Sequence, residues 1–154
     1  MIKKYILIII MILCLSVGCS FKKTKIREFS NDSSYIDNNS NEVINSMKVI
    51  IDDKEYKVNL ENNETTKEFI NKLPQTFNMM ELNGNEKYTY LDYTLPTNEY
   101  LPKYINKGDI MLYGNNCLVI FYESFSTSYS YTKIGHIDDL SNIGKESILV
   151  HFEK

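Results

Sequence analysis

Few side chains in this sequence are of the kinds that perform covalent or metal chemistry, and their spacing narrows the choice further. The histidines are His136 and His151, and the cysteines are Cys14, Cys19 and Cys117. His151 and Glu153 are two apart, so an extended strand would put both on one face. Two such donors near a chain end describe a solvated edge better than a zinc centre, which wants three or four. His136 follows Gly135 with no evident nucleophile beside it to activate. Cys117 heads the apolar run CLVIFY, the setting of a buried, unreactive thiol. A Gly-x-Ser-x-Gly elbow, a Walker-type loop and a dinucleotide fingerprint are all missing from the sequence. No metal or cofactor is expected, and neither hydrolase nor nucleotide chemistry gains support.

What the sequence offers instead is hydroxyls set among aromatics. Residues 121–135 read FYESFSTSYSYTKIG. As one strand they would place Phe121, Phe125, Tyr129 and Tyr131 on one face and Ser124, Ser126, Ser128, Ser130 and Thr132 on the other. Tyr88, Tyr90, Tyr93, Tyr100, Tyr104, Tyr113 and Tyr122 add to the supply. Each combines an apolar ring with a polar tip, which suits a binding surface and suits a strand equally well. The neighbouring pair Glu86-Lys87 could be a ligand contact or a cross-strand ion pair, and as a surface pair it would stabilise by only ~0–1 kcal/mol.

The elements that must carry these residues begin after an export signal. MIKKYILIIIMILCLSVGCS has a positive start at Lys3 and Lys4, an apolar stretch from Ile6 to Leu15, and small residues leading to Cys19. The apolar stretch is short of the ~20 residues that span a bilayer. The ending LSVGC resembles the lipobox of bacterial lipoproteins, with Ser16 where that motif usually has leucine. The resemblance implies cleavage after Gly18, a diacylglycerol on the Cys19 thiol, and a place on the extracytoplasmic face of the cell membrane. Removing 18 of 154 residues leaves 136, and losing Lys3 and Lys4 from 17 basic side chains leaves 15 against 20 acidic ones, a formal charge of −5. Such a chain has no basic stripe for phosphates, so nucleic acid is not an expected partner. With Cys14 removed and Cys19 lipidated, Cys117 has no disulfide partner.

Residues 19–46 supply the lipidated cysteine and a flexible tether, rich in Ser, Asn and Asp and poor in aliphatics. Residues 47–154 make one domain. MKVII and KEYKVNL flank the turn Asp52-Asp53 and predict a hairpin. Thr65-x-x-Glu68 is a capping-box pattern before Phe69, Ile70 and Leu73, predicting a two-turn helix ended by Pro74. Asn83-Gly84 between TFNMMEL and EKYTYLDYTL predicts a second hairpin. Pro96 and Pro102 mark a loop, and Asn115-Asn116 joins IMLYG to CLVIFY. A strand near Tyr129 to Ile137, a helical turn around Asp138 to Ile143, and ILVHF at 148–152 complete the domain. The fold class is mainly β. With little helix available to cover a sheet, a closed eight-stranded barrel with one or two short helices buries these strands best.

Leu73-Pro74, Met79-Met80-Glu81-Leu82, Glu86-Lys87, Gly108-Asp109-Ile110, Leu112-Tyr113, Phe121-Tyr122 and Tyr131-Thr132-x-x-Gly135-x-Ile137 occur in an order that resembles the bacterial cyclophilin-like domain family. The resemblance covers about Met47 to Phe152 and implies the closed barrel shared with the true cyclophilins. Those are prolyl isomerases whose catalytic guanidinium sits in a Phe-His-Arg context. The single arginine of this chain, Arg27, falls in the tether, and tryptophan is absent. The expectation is therefore a binding or accessory module for a peptide, a small molecule or an envelope protein. The alternative is a prolyl isomerase or folding factor for exported proteins. Under the resemblance Ser124 to Ser130 connect two strands. Phe121 would then be core, Ser126, Ser128, Tyr129 and Tyr131 would line the mouth of a groove, and Glu86 and Lys87 would charge its rim.

Overall fold

The structure is a computed structural model that describes residues 44–154. The expected export signal, Cys19 and nearly all of the expected tether lie outside the described residues. Among the described residues ten strands and one helix follow in chain order: β1 (Ser46–Ile51), β2 (Lys54–Leu60), α1 (Glu64–Asn71), β3 (Gln75–Leu82), β4 (Glu86–Tyr90), β5 (Tyr104–Ile105), β6 (Asp109–Tyr113), β7 (Cys117–Phe121), β8 (Phe125–Ser126), β9 (Thr132–Ile137) and β10 (Ile148–Glu153). Eight of the strands close into an antiparallel barrel in the order β1-β10-β3-β4-β7-β6-β9-β2, and β5 pairs with β8 in a separate two-stranded sheet.

Turn chemistry sets the hairpins. Asp52 and Asp53 hold φ of 48° and 61° between β1 and β2, and Asn83 and Gly84 hold 57° and 73° between β3 and β4. Short polar side chains and glycine tolerate this left-handed region, which two-residue hairpin turns need. In β1, β2 and β10 alternate residues are buried, so each presents one face to the interior. Phe152 meets Phe69 and Phe77 edge-on there, with centroids 5.4 and 6.0 Å apart.

Strands β6 and β7 depart from alternation because both of their faces are covered. Every residue of β7 is buried, and only Tyr113 of β6 is exposed. Leu118, Ile120, Ile110 and Leu112 belong to the interior core, whereas Cys117, Val119, Phe121 and Met111 join Ile105 and Tyr131 in a second cluster on the outer wall. The run CLVIF has the composition of a strand buried on both sides.

Two local expectations are corrected. The helix is capped by Asn63, two residues before the cap suggested by Thr65 and Glu68. Its extended backbone leaves the side chain free to accept from the Thr66 N–H at 2.9 Å. Thr65 and Thr66 are inside the helix and buried; their hydroxyls donate to the carbonyls of Pro96 (2.6 Å) and Ile134 (3.1 Å). Residues 138–143 form no helix, because Asp139 turns the chain with φ of 52°. Asn63 also donates through Nδ2 to the Lys133 carbonyl at 2.7 Å, tying α1 to β9. Asn63→Ala is expected to cost about 2 kcal/mol, one part from the cap and one from this donor. Asn63→Asp keeps the cap and should lose about half as much. Urea midpoints of the two variants check the division, and equal losses would refute it.

Candidate functional site

The outer wall over β3, β4, β7 and β6 gathers the aromatic residues. Cross-strand register sets three rows on it: Leu82, Glu86 and Phe121; Met80, Tyr88, Val119 and Met111; and Tyr90, Cys117 and Tyr113. Loop residues pack onto these rows. The Phe121 ring lies 5.6 Å from Phe125 and 5.5 Å from Tyr131, and Tyr113 lies 5.6 Å from Tyr131 and 6.0 Å from Tyr129, all centroid to centroid. The segments around β5 and β8 form the outermost layer. Tyr104 pairs with Ser126, and Tyr100 and Tyr131 exchange backbone bonds of 2.9 and 3.0 Å. Above this second core the wall therefore presents rings with open faces: Tyr90 is 65% exposed, Tyr129 60% and Tyr104 53%, and Tyr113 and Met80 are exposed beside them. Rigid aromatic groups over a packed layer lose little entropy on binding, and hydroxyls at their edges can orient a polar partner.

The residues singled out in the sequence are distributed unevenly over this surface. Ser126, Ser128 and Tyr129 are exposed on the loop layer. Phe121 is fully buried in the outer cluster, and Tyr131 lies beneath the surface against it, outside the barrel proper. Burial, followed by the Glu86 carboxylate, pushes the Tyr131 hydroxyl up. Glu86 is half-buried and faces outward between Leu82 and Phe121. Its carboxyl is held above the usual carboxylate range, first by burial and then by Glu81.

Lys87 points the other way, as the next residue on a strand must. It is fully buried at one end of the interior, donating from Nζ to the Glu146 carbonyl at 2.6 Å and resting 5.1 Å from the Tyr122 ring centroid. Tyr122 in turn donates to Glu81 Oε1 at 3.1 Å, and burial pushes its hydroxyl up to about 12. Glu86 and Lys87 thus serve opposite sides of one wall.

The remaining chemical groups are occupied. Asp109 is buried, accepts the Asn106 N–H at 2.9 Å, and faces His136 Nδ1 at 2.9 Å and Lys133 Nζ at 3.3 Å. The other ring nitrogen of His136 faces Asp138 at 3.7 Å, so both of its partners are carboxylates. His151 shares its strand face with Glu153 at 3.4 Å and bonds Thr76 at 2.7 Å. Burial raises the Cys117 thiol to about 11, leaving it protonated at neutral pH. Among the described residues no group of three or more His, Cys, Asp or Glu side chains is placed to hold a metal ion. A shallow groove of about 530 Å³ opens where Tyr90 meets Phe77 and Tyr93, with Lys72 Nζ 5.5 Å from the Tyr93 centroid. Neither Ser126 nor Ser128 lines it, although Tyr90 belongs both to it and to the aromatic wall.

Met80, Tyr88, Tyr90, Tyr104 and Tyr113 were not singled out as a site from the sequence. The available signal was the unalternating run CLVIF: a strand buried on both faces requires an outer layer, and its neighbours in the sheet must border that layer.

Fold and surface together define a closed antiparallel barrel protein with a second apolar layer on one wall. The chain belongs to the Cyclophilin-like family, whose model matches residues 49–153. No curated protein and no solved structure matches the chain.

Proposed function

We propose that this protein is a lipid-anchored, extracytoplasmic binding or accessory module. It holds a peptide or small polar ligand across the outer wall of β3, β4, β7 and β6. The observation that carries the reading is the set of exposed tyrosines, Tyr90, Tyr104, Tyr113 and Tyr129, laid over a rigid second core with Ser126 and Ser128 at its edge. The charged start, the short apolar stretch and LSVGC support the anchor at Cys19. Prolyl isomerisation is the weaker reading. Its barrier of ~20 kcal/mol falls when a donor reaches the prolyl nitrogen. Arg27 lies outside the described residues, and Lys87 is turned into the barrel.

The test uses the full chain, labelled with 3-fluorotyrosine and kept in mild detergent, and follows each tyrosine by fluorine NMR during titration with a library of short peptides. Binding peptides are expected to shift Tyr90, Tyr104, Tyr113 and Tyr129 while the interior rings Tyr56 and Tyr122 stay fixed. A library that moves none of the wall tyrosines would end the proposal. Fatty-acid labelling of cells is expected to mark the wild-type chain and leave Cys19→Ala unlabelled; equal labelling would remove the anchor from the reading.

A further inference from the structure

Uncompensated charge is rare on the aromatic wall. Of the side chains that register places on the outer faces of β3, β4, β6 and β7, Glu86 and Asp109 are the carboxylic acids. Asp109 is met by Lys133 and His136. Glu86 forms no ion pair and accepts no side-chain hydrogen bond among the described residues, and the strands on either side of it, β3 and β7, carry no lysine. Its neighbours across the strands are Leu82 and Phe121, and its neighbour two residues along is Tyr88. A carboxylate held among apolar groups without a partner is costly unless something supplies the opposite charge.

Resting on the binding role proposed above, we infer that the wall selects an extended peptide bearing a basic side chain, whose cation pairs with Glu86 while its backbone and flanking residues lie along the tyrosines. The surroundings of Glu86 suit a cation twice over. The carboxylate provides charge-assisted hydrogen bonding, and the faces of Tyr88 and the neighbouring rings attract an ammonium or guanidinium. From the row of Glu86 to the row of Tyr90 is four residues along β4, about 13 Å, the length of a four-residue extended segment. A free amine would satisfy Glu86 and leave the tyrosines uncovered; a peptide engages both.

Full chain labelled with 3-fluorotyrosine is titrated with three acetylated, amidated tetrapeptides that differ at one position: lysine, norleucine and glutamate. The lysine peptide is expected to bind about tenfold more tightly than the norleucine peptide, with the glutamate peptide weakest. Glu86→Gln, which keeps shape and removes charge, should bring lysine and norleucine to within about twofold while leaving norleucine binding unchanged. Glu123→Gln, an exposed carboxylate on the adjoining loop, should leave the tenfold gap intact. Equal binding of lysine and norleucine peptides to the wild type would overturn the cation preference and leave the binding wall standing. A gap that survives Glu86→Gln, or that closes in Glu123→Gln, would also overturn it by placing the cation elsewhere. Failure of all three peptides to move any wall tyrosine would overturn the inference together with the reading on which it rests.

Discussion

Lys87→Ala is expected to destabilise the barrel by about 3 kcal/mol, a fall of roughly 15 °C in the melting temperature of a domain this size. The side chain is fully buried, and its strand position sets it across from Glu81 on one side and Ile120 on the other. Truncation removes three methylenes, each contributing about 0.8 kcal/mol when buried. It also strips the Glu146 carbonyl of its donor and the Tyr122 ring of its cation, a loss on the order of 1–2 kcal/mol for a bond to a charged group. Part of this is offset, because the ammonium is itself costly to desolvate: burial is the leading cause that lowers its pKa, and the carboxylates of Glu81, Asp52 and Glu146 only oppose it. Lys87→Met keeps most of the packed stem and loses only the polar contacts, so it should cost about 1 kcal/mol. A lysine on a groove rim would behave differently, with both substitutions within about 0.5 kcal/mol of wild type. Calorimetric melting of the two variants separates the cases; a neutral Lys87→Ala would mean that the side chain reaches solvent.

The same residue shows where sequence reading stops. Hairpins were legible because their signals are local: Asp52-Asp53, Asn83-Gly84 and Asn115-Asn116 each stand between apolar runs, and turn residues act through their own backbone preferences. Barrel closure was legible from the number of strands and the scarcity of helix. The facing of β4 was not. In EKYTY the aromatics Tyr88 and Tyr90 alternate with Lys87 and Thr89, and polarity alone would turn the tyrosines inward. The opposite orientation is favoured because the outer wall has its own apolar layer for the rings, while the Glu146 carbonyl and Tyr122 ring receive the lysine inside. That layer comes from two-residue strands, Tyr104–Ile105 and Phe125–Ser126, too short to show any period. The hydroxyl-rich stretch could be recognised as a loop, but its partner across the wall, residues 100–105, pairs with it from 20 or more positions away and shares no local signal with it. The helix cap was misplaced for a related reason: Thr65 and Thr66 look like capping residues until tertiary acceptors at Pro96 and Ile134 claim their hydroxyls.

Gly108→Ala should be the most damaging of the glycine substitutions, at about 4 kcal/mol. Two costs add. Gly108 has φ of +95°, a conformation that L side chains rarely adopt, and forcing alanine into it costs on the order of 1–3 kcal/mol. A Cβ there would also stand 2.1 Å from the Ile137 carbonyl oxygen and 3.2 Å from His136 Cε1, and a carbonyl in a barrel strand cannot swing aside as a surface side chain can. The position joins three parts of the sheet: its N–H donates to the Phe121 carbonyl at 2.7 Å, and its carbonyl accepts from the Ile137 N–H at 2.9 Å. Moving it disturbs Asp109 and its bonds to His136 and Asn106. Gly84 isolates the first cost from the second, since it has φ of +73° with nothing within 4 Å of the added carbon; Gly84→Ala should cost about 1 kcal/mol. Gly135 isolates the second cost, because its Cβ would lie 2.7 Å from the Asn59 carbonyl oxygen and 2.8 Å from Val58 Cγ1 without a left-handed backbone, and Gly135→Ala should fall between the other two. Chemical denaturation of the three variants is expected to give the order Gly108, Gly135, Gly84. A Gly108→Ala protein no less stable than Gly84→Ala would show that β6 and β9 do not approach each other as closely as their register requires.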